Sequence, residues 1–165
     1  MDHLWSPWRY RYIQSADADA TCIFCQKAAE HKDEQNLIVF RGARNFVILN
    51  LFPYTTGHLM VAPYEHVDTL DRADEATTAE MMLLMRAAQT HLGSIYNAHG
   101  FNLGMNLGVA AGAGIAGHIH MHVLPRWRGD ANFMSVIGET RVMPEELGET
   151  YRKLKAAWVQ VGSSM

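Results

Sequence analysis

The sequence predicts an α+β domain with an antiparallel sheet of about five strands, one long helix and a C-terminal helix. Two observations carry this prediction. Short apolar or alternating segments recur between turns, which is typical of strands. Residues 74–97 instead repeat apolar side chains at three- and four-residue steps, which is typical of a helix packed by one face. A length of 165 residues, without internal repeat or linker, favours a single domain over residues 1–165.

The first half of the chain predicts an arm, a short helix and three strands. Residues 1–20 are aromatic and then polar, and we interpret them as an N-terminal arm and loop. A short helix is expected over Ile23–Glu30. The strands are expected at Leu37–Arg41, Phe46–Leu49 and His58–Ala62, with turns near Gly42 and over Pro53–Gly57, and with Pro63 ending the third strand.

The second half predicts the long helix, two more strands and the last helix. The long helix is expected over Asp74–Asn97, capped by Asp74 or Thr69 and ended by His99-Gly100. The remaining elements are strands at Phe101–Leu107 and His118–Leu124, the second stopped by Pro125, an intervening glycine-alanine loop at Gly108–Gly117, and a helix over Pro144–Val159.

Composition and charge exclude several classes of protein. The formal net charge is −3 and no run of Lys and Arg occurs, which disfavours binding of duplex nucleic acid. No apolar run reaches the ~20 residues of a membrane-spanning helix. The first residues lack the basic start and apolar stretch of a signal peptide. We therefore expect a cytoplasmic protein with no nucleic-acid or membrane partner, although a small phosphorylated ligand needs only a few local donors.

Histidines alternate with apolar residues between Gly117 and Pro125. Because residues two apart share a face of a strand, His118, His120 and His122 are expected on one face, ~6.5–7 Å apart. Such imidazoles can supply a nucleophile, a proton donor and neutral hydrogen-bond partners near neutral pH. Two other interpretations stay open: three solvent-facing histidines, or a catalytic zinc site with three histidine ligands. The zinc alternative lacks the downstream acidic residue or histidine that common hydrolase patterns add.

A glycine-rich loop leads directly into the histidines, with glycines at Gly108, Gly112, Gly114 and Gly117. Such a loop can turn backbone N–H groups inward and approach phosphate oxygens closely. Glycine-rich loops alone are weak indicators, because most are simply turns. Next to three aligned imidazoles, however, the loop favours attack of a histidine on phosphorus.

The histidine pattern resembles the signature of the histidine-triad superfamily of nucleotide hydrolases and transferases. The resemblance runs from about Cys22 to Phe133. Within it, Asn50–His66 is similar to the family's nucleoside-binding segment. The glycine-alanine loop, the start Leu4–Tyr10 and the tail His122–Phe133 resemble a bacterial branch that is similar to diadenosine tetraphosphate phosphorylases.

This resemblance implies a HIT-like fold, a two-fold homodimer and a nucleotide substrate, namely a dinucleoside polyphosphate. The middle histidine, His120, is implied as the nucleophile that forms a nucleotidyl-histidine intermediate, which water or phosphate then resolves. His122 is implied to contact the phosphate or leaving group, and His118 completes the triad. The implied nucleotide-binding residues are Asn50 at the ribose, Asn106 with Gly112, Ala113 and Gly114 at the phosphates, and also Leu51 and His58. Trp127 follows the histidine strand, and it is expected either to stack on a base or to be a core tryptophan. No organic cofactor is expected. The alternative is a nucleotide-binding or sensing protein with marginal turnover.

The chain departs from many relatives at two places. Asn50 stands where many members carry Asp, although either residue can accept from a ribose hydroxyl. Gly114 and Ile115 stand where some relatives carry a Gln-Ser pair, so loop backbone must replace those side-chain donors.

The two cysteines form the pair Cys22-Ile-Phe-Cys25. In a reducing compartment this spacing suggests metal or redox chemistry more than a structural disulfide, and two thiols without a role remain the alternative. Some histidine-triad relatives bind a metal through such a pair, a histidine in a Pro-x-x-His stretch and the first triad histidine. By that resemblance, Cys22, Cys25, His66 and His118 would hold a structural zinc, leaving His120 free for chemistry.

Overall fold

The computed structural model of the chain describes residues 22–130 and 143–162. Its five strands form one antiparallel sheet in the order β1-β2-β3-β5-β4. The strands are β1 Ile38–Arg41, β2 Asn45–Leu49, β3 Leu59–Pro63, β4 Gly100–Met105 and β5 Met121–Arg126. The predicted α+β class and antiparallel sheet are thereby confirmed. The N-terminal arm and the end of the tail near Phe133 lie outside the described residues.

Four α-helices accompany the sheet in these two described ranges. They are α1 Ile23–Glu30, α2 Asp33–Asn36, α3 Glu75–Tyr96 and α4 Leu147–Gly162. Helix α1 has the predicted bounds, whereas the single turn of α2 was not predicted. None of the helices within these ranges is both long and apolar enough to cross a membrane.

Helix α3 begins and ends at residues that satisfy its terminal backbone groups. The Asp74 carboxylate accepts from the N–H of Thr77 at 2.6 Å, so Asp74 is the N-cap. At the other end Asn97 adopts φ 49° and donates its N–H to the Gly93 carbonyl. The helix therefore ends within one residue of the predicted Asn97, and Asn97 rather than His99-Gly100 terminates it. Its predicted apolar stripe is buried: Met81, Leu84, Met85, Ala88 and Leu92.

The two faces of the sheet carry different cores. One face packs against α3 and α4 in a large apolar cluster that includes Val61, Leu92 and Leu154. The opposite face carries a smaller cluster beneath α1, with members Phe24, Ile38, Phe46, Ile48, Met60 and Ala62. Because the smaller cluster covers only part of its face, room remains there for polar groups.

Several predicted boundaries differ from the structure, most clearly at β5 and at the start of α4. Strand β5 begins at Met121 rather than at His118, because the N–H of Ile119 donates to the Val67 carbonyl instead of a strand partner. The strand also continues through Pro125. The pairing of β5 with β3 ends at Val123. Pro125 therefore has no partner on β3, and its missing N–H costs no hydrogen bond between these two strands. Helix α4 begins at Leu147, three residues after the predicted Pro144.

Glu80 of α3 holds the turn between β1 and β2. The N–H of Gly42 donates to the Asn45 carbonyl at 2.8 Å and closes the turn. The Glu80 carboxylate accepts from the N–H groups of Ala43, Arg44 and Asn45 at 2.7, 2.8 and 2.7 Å. A Cβ at Gly42 would lie 2.9 Å from both the Asn45 carbonyl oxygen and Glu80 Oε1. The close approach of the carboxylate therefore requires glycine at this position.

Candidate functional site

The three histidines lie on the sheet face that α1 partly covers. His118 and His120 are buried, with 1% and 5% of their surface exposed, and His122 is half-buried. The intervening Ile119 and Val123 join the apolar cluster on the other face. Burial rules out three solvent-facing histidines. Each ring also has its own polar partner, which disfavours a single zinc held by all three.

His118 faces a group of potential metal ligands. Its Nε2 lies 2.9 Å from the Pro63 carbonyl, which can only accept, so Nε2 carries the proton and Nδ1 is bare. That Nδ1 lies 3.3 Å from Cys22 Sγ, 3.6 Å from Cys25 Sγ and 3.3 Å from His66 Nδ1. Burial, together with the nearby His66 and His120, lowers the pKa of His118 to about 4 despite the Pro63 bond. The ring is therefore neutral, as a metal ligand must be.

The chemistry and spacing of this cluster fit a tetrahedral zinc ion. The ligand atoms of Cys22, Cys25, His66 and His118 all lie within 4.8 Å of one another. Bond lengths of ~2.0–2.3 Å to zinc place tetrahedral ligand atoms ~3.3–3.8 Å apart. The observed separations that involve His118 fall in this range, as does the 3.4 Å from Cys25 Sγ to His66 Nδ1. Both cysteines are free thiols. Burial and the neighbouring Cys22 raise the pKa of Cys25 to about 11, so a metal would replace its proton.

His120 presents the opposite ring nitrogen from His118. Its Nδ1 lies 2.8 Å from the His118 carbonyl oxygen, so Nδ1 carries the proton and Nε2 keeps its lone pair. Burial lowers the pKa of His120, which keeps the imidazole neutral near physiological pH. A neutral, fixed Nε2 lone pair has the properties of a nucleophile.

His122 carries its proton on Nε2, the nitrogen that is bare in His120, because of its hydrogen bond with His58. The N–H of Tyr54 can only donate, and it bonds His58 Nδ1 at 3.1 Å. His58 must then carry its proton on Nε2, which lies 2.8 Å from His122 Nδ1. His122 Nδ1 accepts the hydrogen bond from His58 Nε2–H, so the proton of the His122 ring is on Nε2. The rings of His120 and His122 are 5.0 Å apart, which brings a lone pair and an N–H close together.

Asn50 is part of this arrangement. Its Nδ2 donates to His58 Nδ1 at 3.3 Å, and its Oδ1 accepts from the N–H of Phe52 at 3.0 Å. The predicted ribose contact of Asn50 would use the second lone pair of Oδ1. His58 is fully buried, and its ring packs between Tyr54 at 4.8 Å and His122 at 5.0 Å.

The glycine-alanine loop is tightly turned on itself. Gly108 and Gly112 have φ values of 77° and 85°, a region that favours glycine, whereas Gly114 does not adopt a positive φ. The N–H groups of Gly112 and Ala113 bond loop carbonyls, and Asn106 Nδ2 donates to the Gly112 carbonyl at 3.3 Å. The backbone N–H groups at Gly112 and Ala113 are therefore already engaged within the loop itself.

The other two predicted nucleotide-binding residues lie in a loop and just beyond the end of β5. Leu51 is 54% exposed in the loop between β2 and β3. Trp127 follows the far end of β5, where its indole N–H donates to the Tyr96 carbonyl at 3.0 Å. In this chain Trp127 is thus hydrogen-bonded to the last residue of α3. Its contact with a nucleotide stays a prediction.

Sequence reasoning missed residues that act through backbone or packing. The Tyr54 N–H and the Pro63 carbonyl fix the protons on His58 and His118, and the Phe24 ring packs against His118 and His120. Backbone donors leave no mark on residue type, so no sequence signal could have identified them. Phe24 lies inside the Cys-x-x-Cys pair, which was the available signal.

The chain is similar to characterised and solved proteins. A family model described as HIT domain matches residues 31–129. The chain is 39% identical over 167 residues to a Mycobacterium tuberculosis protein named AP-4-A phosphorylase, covering 97% of this chain and 86% of that protein. The family match spans more than half of the chain and includes all three histidines.

Two solved structures share the fold. A Zn-bound histidine triad family protein from Mycobacterium smegmatis has a TM-score of 0.70 and 26% identity, covering 88% of this chain and 98% of that one. A hypothetical histidine triad nucleotide-binding protein from Sulfolobus tokodaii has a TM-score of 0.69 and 25% identity, covering 85% and 93%.

Proposed function

This chain belongs to the histidine-triad family, and on that premise we propose that it is an enzyme that cleaves dinucleoside polyphosphates of the diadenosine tetraphosphate type. The relative named AP-4-A phosphorylase, similar over nearly the whole chain, supports this substrate class. We further propose that the reaction passes through a nucleotidyl-histidine intermediate on His120.

One observation carries the mechanism: neighbouring imidazoles hold their protons on opposite nitrogens. His120 is fixed with a bare Nε2 by the His118 carbonyl, and His122 is fixed with a protonated Nε2 by His58. A nucleophile and a hydrogen-bond donor for the leaving oxygen are therefore in place before substrate binds, which favours covalent catalysis.

In the first step, His120 Nε2 attacks the α-phosphorus and the bond from that phosphorus to its bridging oxygen breaks. The N–H of His122 Nε2 donates a hydrogen bond to the leaving oxygen, which departs as a phosphate anion and leaves that proton on the ring. With diadenosine tetraphosphate the leaving group is adenosine triphosphate, and adenylate stays bonded to His120.

In the second step, phosphate or water attacks the same phosphorus and the phosphorus–nitrogen bond breaks. Phosphate attacks through an ionised oxygen, whereas an attacking water releases its proton to solvent. His120 thereby regains its Nε2 lone pair, and His122 keeps its Nε2–H throughout. Phosphate as acceptor gives adenosine diphosphate, and water gives adenylate. We propose phosphate, because the relative's name specifies a phosphorylase.

The remaining nucleotide contacts are proposed from their positions around these histidines. The ribose would bind at Asn50 and the phosphates at Asn106 and the loop that follows it. Leu51, His58 and Trp127 complete the proposed set, with Ala113 packing the loop, since it is only 5% exposed.

We also propose a two-fold homodimer. Strand β4 lies at the sheet edge, and its Leu103 is 45% exposed. An apolar edge strand of this kind is suited to pairing with a second copy. Light scattering of the purified protein tests this, and a monomer at micromolar concentration would contradict it.

We propose a structural zinc ion held by Cys22, Cys25, His66 and His118. Four protein ligands would close the site, so the metal when bound would supply a cross-link between α1 and the histidine segment, and no reactive water. The Zn-bound relative in Mycobacterium smegmatis supports this choice of metal.

Product analysis tests the proposed reaction. The protein is incubated with diadenosine tetraphosphate, with and without inorganic phosphate, and the nucleotides are separated. Adenosine diphosphate and triphosphate in equal amounts, formed only with phosphate, are expected. Adenylate would identify water as the acceptor. Tight binding of the dinucleotide without turnover would instead favour the sensing alternative.

Trapping tests the intermediate. Protein mixed with substrate labelled at the α-phosphorus is quenched in alkali, where phosphorus–nitrogen bonds survive, and is digested. Label on the peptide that contains His120 is expected, with none in His120→Asn. Label elsewhere, with His120 unmodified, would refute the proposed nucleophile.

Elemental analysis tests the metal. Protein purified without chelator is expected to hold ~1 zinc per chain, and His66→Asn much less. His31→Asn is the matched control, because His31 is exposed and lies outside the cluster. Well under one zinc in the wild-type protein would end this proposal.

A further inference from the structure

Phe24 is the buried residue of helix α1, with only 2% of its surface exposed. It lies between Cys22 and Cys25 in the sequence. Its ring centroid is 5.2 Å from that of His118 and 4.9 Å from that of His120. One side chain therefore contacts both a proposed metal ligand and the proposed nucleophile.

We propose that Phe24 is a positioning residue that couples the Cys–His cluster to His120. The cluster holds the start of α1 against the sheet, and α1 in turn holds the Phe24 ring against the imidazole. This inference rests on the proposed function, since it takes His120 as the nucleophile and the cluster as a zinc site.

The need for such a contact follows from how His120 is held. A single hydrogen bond, from Nδ1 to the His118 carbonyl, fixes one atom of the ring. It leaves the ring free to turn about that bond, and turning would move Nε2 away from an in-line approach to phosphorus. The Phe24 ring, tilted 43° to the imidazole, restricts this motion. The other aromatic neighbour is His122, which must itself act on the leaving group.

Phe46 provides a matched control for Phe24. It is fully buried in the same small cluster, and it contacts Phe24 edge-on at 6.3 Å and stacks on Tyr64 at 5.5 Å. Its ring contacts are with these two aromatic residues rather than with the histidines. Phe46→Leu therefore removes a buried ring from the same cluster while keeping the Phe24–His120 contact.

The first measurement separates kcat from KM. Because an ångström of misplacement can cost ~10²-fold in rate, we expect Phe24→Ala to lower kcat by ~10–100-fold with KM within ~2-fold. Phe24→Leu, which keeps part of the contact, should recover a portion of the loss. Phe46→Leu should leave kcat within ~2-fold although it lowers the melting temperature comparably. Equal kcat losses in Phe24→Leu and Phe46→Leu would overturn the positioning role.

The second measurement does not depend on turnover. In protein labelled with ¹⁵N-histidine at pH 8, the His120 ring is expected to hold its proton on Nδ1, and His120→Asn assigns its signals. Phe24→Ala should keep the proton on Nδ1 but broaden the His120 signals, because a ring that turns about its hydrogen bond samples several environments, and Phe46→Leu should resemble the wild type. Removing zinc from the wild type should broaden the His120 signals as Phe24→Ala does, and zinc removal from Phe24→Ala should add little.

These two readouts distinguish failure of the inference from failure of the proposed function. A wild-type protein without turnover, whose His120 signals still broaden on loss of zinc and in Phe24→Ala, would refute the proposed reaction and leave the coupling intact. A protein that takes up no added zinc, or one whose His120 signals ignore both zinc and Phe24→Ala, would overturn the coupling itself.

Discussion

The two faces of the sheet bury side chains equally well but surround them differently. On the helical face, Ile119 and Val123 are 2% and 0% exposed and touch apolar side chains of the large cluster. On the opposite face, His118 and His120 are 1% and 5% exposed, yet each ring has a hydrogen-bonded polar partner. Burial alone therefore does not distinguish a core residue from a reactive one.

This difference indicates that the two faces of the sheet serve different purposes. Apolar contacts on the helical face contribute to the free energy of unfolding by removing surface from water. Hydrogen bonds on the histidine face fix which ring nitrogen carries a proton, and so determine reactivity. Substitutions on the two faces should accordingly change different measurements.

The largest expected effect is on the histidine face. His120→Asn keeps an N–H that can reach the His118 carbonyl but lacks Nε2, the proposed nucleophile. We expect kcat for diadenosine tetraphosphate to fall ~10³-fold or more, and His120→Ala to lose as much. Thermal melting of the Asn variant should stay near the wild-type value. Retention of more than about a tenth of wild-type kcat would contradict the assignment.

The converse effect is expected on the helical face. Leu154 of α4 is fully buried, and Leu154→Ala should lower the free energy of unfolding by ~2–5 kcal/mol. At a temperature where the variant is folded, kcat should be unchanged, because the cavity lies across the sheet from the histidines. Denaturant unfolding and steady-state kinetics measure the two effects. A large loss of kcat in fully folded variant would break the separation of the faces.

A smaller effect is expected in the loop that precedes the histidines. Gly112→Ala forces a Cβ onto a residue with φ 85°, which costs ~1 kcal/mol or more. Gly108→Ala is strained still more, because φ 77° with ψ 163° is a region that essentially only glycine adopts, and with open space around its Cβ it serves as the control. We expect Gly108→Ala to lose at least as much stability but only Gly112→Ala to lose nucleotide affinity clearly, as isothermal titration would show. Equal affinities would indicate a mere connector.

The smallest effect concerns a histidine on the helical face. His91 packs against Trp158 at 4.5 Å, and burial lowers its pKa below 6.5. As the pH falls below 6.5, His91 of the unfolded chain binds a proton before His91 of the folded chain does. The free energy of unfolding therefore decreases as the pH falls through this range. Between pH 7 and about 5 the melting temperature should fall less steeply in His91→Gln than in wild type. His118 and His120 share the sign of this effect, so only the difference between the proteins reports on His91. Equal slopes would contradict the prediction.

Periodic patterns predicted most of the fold. The three- and four-residue steps from Met81 to Leu92 and the alternation from His118 to Val123 depend on local geometry, which residue type records directly. The exact start of β5 could not be predicted, because it depends on which carbonyl the Ile119 N–H meets. Pro125 within a strand was likewise unpredictable without knowing that β3 ends its pairing at Val123.

The candidate site was predictable in composition but not in protonation. The triad and the four cluster residues follow from spacing and resemblance, and the cluster residues do lie together. Which nitrogen of each ring carries a proton depends on partners distant in sequence, such as Pro63 for His118 and His58 for His122. The hydrogen bonds of Asn50 with His58 and Phe52 likewise depend on the folded structure and could not be predicted from residue type.

The carboxylate that closes the turn between β1 and β2 has a consequence for the order of folding. Two adjacent antiparallel strands joined by a short turn normally form as a local unit within microseconds. Here three backbone N–H groups of the turn donate to the carboxylate of Glu80, a residue 35–37 positions later in the sequence. Closing a loop of that length costs entropy before the contact is gained. During synthesis, the first hairpin of the sheet therefore stays unfinished until the long helix has left the ribosome.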